Sequence, residues 1–356
     1  MIRKSTSPSA EESLDDLTLF ARLDQDEMGN QIAKLGDQIR DAWVVGKGWE
    51  IPTSFQTPDR VIVVGVGGSA IGGDIVSMIA RTISRVPVDV VRNYLVPQAG
   101  PRTLIVACSV SGDTEETLTA FETAHHQKGM KLAITGGGQL ATFDGPLITY
   151  SWEGHPRSAF GWGLMPLVGV LSTLKILPIS DTDIEIAAKA LDANATSYGI
   201  DVPTEFNSAK QLAIRLHGRL PFIVGADFLE VAARRWAGQL QENAKQWAFF
   251  GAIPEINHNL LNVLGLPQAG LEQLEVVLLD AEIAHERNRR RVELTSTMLD
   301  EAGIANSTEI SSGASTLESI LRACSLGDWV SYYSAILNGV DPSDTKSIET
   351  FKQRVR

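Results

Sequence analysis

Apolar residues arrive along this chain in two kinds of run. Short continuous β-branched runs read as strands covered on both faces, and apolar positions spaced three to four apart read as helices. The first strand run is Val61-Ile62-Val63-Val64-Gly65-Val66, which breaks into Gly67-Gly68 and passes into the helix-periodic Ile75-Val76-Ser77-Met78-Ile79-Ala80. Further runs predict strands at 88–91, 104–109, 131–135 and 147–151, with helical segments between them. A second series begins at 220–227 and continues with strands at 274–280 and 307–311 and helices near 281–301, 314–338 and 344–355. Strand and helix in alternation predict open parallel sheets. The expected fold class is α/β, with two related domains, each a parallel sheet flanked by helices.

The remaining stretches are less regular. Residues 1–13 are polar and predict disorder. Leu17, Phe20 and Leu23, then Ile32, Leu35, Ile39 and Trp43, fall at helical spacing on either side of the turn-rich stretch 26–30, which predicts two helices ahead of the sheet. A helix is expected over 160–177, and 234–250 has helical periodicity. The division that follows is a helical N-terminal segment 1–50, a first α/β domain 51–177, a polar connector 178–206 with a helical middle, and a second domain 207–356 ending in a tail.

Composition narrows the function classes. A chain of 356 residues is long enough for two cores, and 44% hydrophobic with 21% charged residues is ordinary for a globular protein. The net charge of −12, with no basic stripe to offset it, argues against a nucleic-acid partner or a membrane surface. A phosphorylated substrate must then be held by local donors. Cys108 and Cys324 sit in no ligand-spaced pattern and read as reduced thiols of a cytoplasmic protein. No apolar run stands behind the basic Met1–Ser5 as in a signal peptide, and Leu164–Leu177 is too short and polar to span a bilayer.

Two strand ends carry the candidate chemistry. Gly67-Gly68-Ser69 follows the first strand, and Ser109-Val110-Ser111-Gly112-Asp113-Thr114 follows the third, each directly before a helix. Amides and hydroxyls at a helix start form a neutral anion cradle, and two such ends can converge at the carboxyl edge of a parallel sheet. The ligand this predicts is a phosphate. A plainer reading makes Asp113 and Glu116 a capping pair for the second helix, leaving Ser109, Ser111 and Thr114 unexplained. A competing reading takes Gly65-x-Gly67-x-x-Ala70, with Asp89 about twenty residues on, as a nicotinamide or flavin fingerprint. Against it, Asp89 lies within its strand, not at the strand's end. The six histidines show no H-x-H or H-x-x-x-H spacing near a carboxylate, so no zinc ligand set is legible.

The two loops, with Ser111-Gly112-Asp113-Thr114-Glu115-Glu116-Thr117, resemble the sugar isomerase (SIS) domain. More narrowly, the chain resembles the bifunctional phosphoglucose/phosphomannose isomerases, a likeness that extends to Leu326-Gly327-Asp328-Trp329-Val330-Ser331-Tyr332-Tyr333 and Asn338-Gly339-Val340-Asp341-Pro342. The resemblance implies two SIS domains in a dimeric, cytoplasmic aldose–ketose isomerase that uses neither metal nor cofactor and acts on hexose 6-phosphates. Gly67, Gly68, Ser69, Ser109, Ser111 and Thr114 would bind phosphate. The resemblance also implies Glu242 as catalytic base, His258 and Lys352 as ring-opening residues, and Arg157 beside the developing enediolate. Thr345 would bear on acceptance of the mannose epimer. From the residues alone, Glu242 reads as a solvated helix face, His258 as a loop histidine and Lys352 as surface charge. The chain departs from the family's Pro-Pro-Arg-Ala-Ala-Leu, having His155-Pro156-Arg157-Ser158-Ala159-Phe160, and has Lys346 where a proline follows the threonine. A phosphosugar-binding SIS protein without catalysis stays open as an alternative.

Overall fold

Nine strands in two parallel sheets make up the framework of the computed structural model, which describes residues 10–355. The chain divides into two compact units. One holds Lys34–Asp192 with Thr316–Glu318; the other holds the described chain up to Ala33, Ala193–Ser315 and the chain from Ser319 onward. The N-terminal segment and the connector are therefore each shared between units.

The first unit contains β1 (Arg60–Val64), β2 (Val88–Val91), β3 (Thr103–Ser109), β4 (Met130–Thr135) and β5 (Leu147–Thr149), in the order β2-β1-β3-β4-β5. β1 and β3 lie side by side with Val64 opposite Ala107. Their apolar runs are buried on both faces because helices cover both. Gly73 of the helix Gly67–Ile83 lies against Val63 on one face, where an added Cβ would stand 3.0 Å from that side chain. Ala120, Phe121 and Ala124 of the helix Glu115–Ala124 pack on Ile62, Val64 and Ile105 on the other. The helix Leu35–Lys47 runs against Phe160–Thr173, and glycines set the spacing: a Cβ on Gly46 would be 2.3 Å from the Pro166 carbonyl oxygen.

The second unit contains β6 (Leu220–Ala226), β7 (Phe249–Ile253), β8 (Leu274–Ala281) and β9 (Ala305–Ser311), in the order β7-β6-β8-β9. Val292 and Leu299 of the helix Glu286–Glu301 pack with Val224, Val276 and Leu278. Trp236, on Glu230–Glu242, lies against Gly327 of the long helix Thr316–Leu337.

Several expectations need correction. The disorder expected over 1–13 falls partly outside the described residues, and a helix already occupies Ala10–Asp15. In place of two helices ahead of the sheet, the chain forms Leu17–Leu23, Met28–Ala33 and Leu35–Lys47. The turn falls just ahead of Met28, so Gly29 is helical, and the Tyr332 ring fills the space a side chain there would need. The periodic stretch 234–250 stops being helical after Glu242 and becomes the edge strand β7.

Candidate active site

In the first sheet the chain leaves β1 toward β2 and leaves β3 toward β4, in opposite lateral directions. The crevice beyond the carboxyl ends of β1 and β3 is therefore a topological switch point, where open α/β sheets bind ligands. Both hydroxyl-rich loops end there. Gly67 takes a left-handed φ of 57°, and a Cβ on Gly67 or Gly68 would meet nothing within 4 Å, so packing does not demand glycine there. Open space over backbone amides suits close approach by an anion. Ser69 lies buried at the start of the same helix.

The second loop is folded onto the glycine loop 136–138. A Cβ on Gly112 would stand 1.7 Å from the Gly137 carbonyl oxygen, and Gly112 has a φ of 73°. Thr135 Oγ1 donates to the Gly137 carbonyl at 2.8 Å, and Leu140 N donates to the Gly112 carbonyl at 3.0 Å. Within the loop, Ser109 Oγ accepts from Gly112 N at 3.0 Å and shares a hydrogen bond with Thr114 Oγ1 at 3.1 Å. Ser111 Oγ accepts from Asp113 N at 3.3 Å and remains exposed. The capping pair is corrected: the N-cap is Thr114, without a side-chain cap bond, and the Asp113 carboxylate accepts from Gln139 N at 2.9 Å. The first amides of that helix are thus left to a ligand or to water.

Neighbouring groups agree with a neutral cradle. Burial pushes the Cys108 thiol up to about 12, so it stays protonated and takes no part as a nucleophile. Asp89 is ion-paired with Arg60 at 2.7 Å, so the acid a dinucleotide fingerprint needs is engaged inside the sheet. The switch point of the second sheet, between β6 and β8, differs: Asp227 and Asp280 stand at these strand ends, and burial pushes the Asp280 carboxyl upward. Two carboxylates make a poor phosphate site.

Arg157 sits half-buried on a short turn, Pro156–Ser158, immediately before the helix Phe160–Thr173. That helix crosses Gly67–Ile83 closely, since a Cβ on Gly72 would lie 2.5 Å from the Gly163 carbonyl oxygen. The arginine turn and the first glycine loop are thereby tied to one helix crossing.

The other expected residues fall in the second unit. Glu242 is the last residue of its helix and is half-buried. Arg235 pairs with Asp328 at 2.9 Å in the interior, Gln239 Nε2 donates to the same carboxylate at 2.9 Å, and Trp236 Nε1 donates to the Ala323 carbonyl at 2.7 Å. Beyond Glu242, Asn243 Nδ2 donates to Ser331 Oγ at 3.0 Å and Asn338 Nδ2 to the Ala244 carbonyl at 2.9 Å. Lys245, with a φ of 53°, donates to the carbonyls of Glu242 at 3.0 Å and Asp341 at 2.8 Å. The motifs 326–333 and 338–342 thus hold the helix end that carries Glu242. Asp328 and Asn338 have the motifs themselves as their signal in the sequence, and Lys245 lies outside those motifs.

His258 is exposed at the end of a short turn, Glu255–His258, beyond β7. Lys352 is exposed on Lys346–Val355, a helix with no buried residue. Thr345 Oγ1 donates to Glu349 Oε1 at 2.6 Å at the start of that helix. Among the described residues no helix is long and apolar enough to cross a membrane, and no group of three or more His, Cys, Asp or Glu is placed to hold a metal.

Residues 205–355 match the family model of the bacterial phospho-glucose isomerase C-terminal SIS domain. A bifunctional phosphoglucose/phosphomannose isomerase of Caldicellulosiruptor bescii is 34% identical over 92% of this chain and 98% of its own length. The chain belongs to the bifunctional phosphoglucose/phosphomannose isomerase family. A member from Aquifex aeolicus is 32% identical over 86% of this chain and 94% of its own. In fold, a hypothetical protein of Thermus thermophilus superposes with a TM-score of 0.75 at 17% identity, covering 98% of this chain and 94% of that one. In a chain of this family, the motifs 326–333 and 338–342 brace the helix end that carries Glu242.

Proposed function

We propose that the protein interconverts glucose 6-phosphate and mannose 6-phosphate with fructose 6-phosphate, by proton transfer through a cis-enediolate and without a metal or cofactor. The observation that carries this is the pair of hydroxyl-bearing helix starts meeting at the switch point of the first sheet, in a chain of this family. Gly67, Gly68, Ser69, Ser109, Ser111 and Thr114 hold the phosphate, and that remote binding energy positions the reacting carbons. The cradle lies in the first unit and Glu242 in the second.

His258 and Lys352 move the proton that opens the hemiacetal ring. Glu242 then removes the C2 proton of the open aldose, O1 gains a proton, and the same carboxyl returns a proton to C1 as O2 loses its own. The electron pair of the C2–H bond passes through the enediolate, whose oxygen charge Arg157 stabilises. Rotation about C2–C3 presents either epimer's C2 proton to one base, with Thr345 bearing on acceptance of the mannose epimer.

The functional protein in this reading is a homodimer in which His258 serves the partner's site. The exposure of His258 supports it, as does the apolar surface that follows, with Val263 49% and Leu266 74% exposed. The test is fructose 6-phosphate formation from each aldose by purified protein in excess chelator. Turnover of both is expected. Binding of phosphosugar without turnover of either would establish the non-catalytic alternative instead.

A further inference from the structure

Arg157 stands on a turn of three residues, too short to fix a long side chain by itself. Two side chains outside the turn hold its backbone. On the entering side His155 is the N-cap, and its Nδ1 accepts from Arg157 N at 3.3 Å, while its carbonyl accepts from Ser158 N at 3.0 Å and Ser158 Oγ at 2.7 Å. Trp152 Nε1 donates to the same carbonyl at 3.1 Å, tying the turn to the strand-end segment before it. An imidazole Nδ1 that accepts here is unprotonated, and the proline of the family pattern has no side-chain acceptor to offer at this place.

On the leaving side stands Gln38, from the helix Leu35–Lys47, more than a hundred residues away in sequence. Its side chain is 3% exposed. Nε2 donates to the Ser158 carbonyl at 2.9 Å, and Oε1 accepts from Gly161 N at 3.2 Å. One amide thus bridges the last carbonyl of the turn and an early amide of the helix that follows. The approach is fixed by contact: a Cβ on Gly161 would lie 2.5 Å from Gln38 Cβ. A buried amide in two directional bonds holds its partners to a narrow geometry, since movement of either leaves a buried polar group unpaired.

We propose that Gln38 and His155 are positioning residues for Arg157, clamping its turn from both sides so that the guanidinium is aimed before substrate arrives. The inference rests on the reading of Arg157 as the group that stabilises the enediolate. Such a clamp acts on the transition state and not on phosphate binding, so its loss falls on kcat.

The experiment measures kcat and KM for glucose 6-phosphate, and competitive inhibition by inorganic phosphate, in Q38L, H155A, H155N and R157A. Q38L is expected to lower kcat by roughly ten- to a hundredfold, the scale of a small misplacement at a reacting group, with KM and phosphate inhibition within about threefold of wild type. H155A is expected to lower kcat in the same way, and H155N, whose amide oxygen again accepts from Arg157 N, to restore it. If Q38L does not fold, the H155A and H155N pair decides alone. Wild-type kcat in the folded clamp variants, or losses shared equally by KM and phosphate inhibition, would overturn the proposal. R157A separates the two layers. An active R157A removes the reading of Arg157 and the clamp with it; an inactive R157A beside a fully active Q38L and H155A removes the clamp alone.

Discussion

Gly112 and Ser111 are neighbours in one loop, and substitutions at the two are expected to fail in different ways. At Gly112 both the left-handed backbone and the Gly137 carbonyl exclude a side chain, so Gly112→Ala must separate two loops that meet backbone to backbone. The expected result is loss of phosphate inhibition together with turnover, measured by inorganic phosphate competition. Ser111 instead keeps an exposed hydroxyl whose local bond is long. Ser111→Ala should remove one hydrogen bond to a charged ligand, about 1.5–3 kcal/mol, and raise KM by roughly ten- to a hundredfold with a smaller change in kcat. A larger fall in kcat would place that loop in the transition state. Ser111 and Ser109 were legible because hydroxyls, glycine and a helix start sit close together in sequence. Gln38 was not, because a lone glutamine on a helical stretch carries no sign of what it meets across the fold.

At the level of elements, buried strands were the most legible parts. Val88–Val91 has the bounds its apolar run predicts, and β3 is buried at every position. The miss at β7 has a physical cause. Continuation of helical periodicity into 243–250 says nothing of Asn243 being drawn to Ser331, or of Lys245 bonding the carbonyl of Asp341, contacts that end the helix from outside. The same contacts set Glu242 at the helix terminus. Asp328 is the anchor of this arrangement, buried and bonded to both Arg235 and Gln239. Removing one partner of a buried ion pair typically costs about 3–5 kcal/mol, so Asp328→Ala should lower the denaturation midpoint strongly. Residual folded protein should lose turnover while still binding inorganic phosphate. Denaturant titration and phosphate binding check the two halves.

For the whole molecule, a net charge of −12 leaves a phosphorylated substrate dependent on local donors, and the cradle is built from amides and hydroxyls with no lysine or arginine in its two loops. Its association with substrate should therefore weaken as ionic strength falls, because less of the overall repulsion is screened. Measuring kcat/KM for glucose 6-phosphate against salt checks this; a steep decline on adding salt would contradict it. Homodimer formation has its own signature. If His258 acts in the partner's site, mixing and exchanging subunits of two inactive variants, Glu242→Gln and His258→Ala, should recover activity. Random exchange gives about a quarter of the sites a complete set. No recovery from demonstrably exchanged dimers would place His258 in its own subunit's site.

In the proposed reaction Glu242 transfers the substrate proton while the loops at the first switch point hold the phosphate. Glu242→Gln keeps the side-chain shape and removes the base, so the decisive measurement is its kcat for glucose 6-phosphate beside its inhibition by inorganic phosphate. Its kcat is expected to fall by at least roughly a thousandfold with phosphate inhibition unchanged. Turnover within a few-fold of wild type would contradict this and take the role of base away from Glu242.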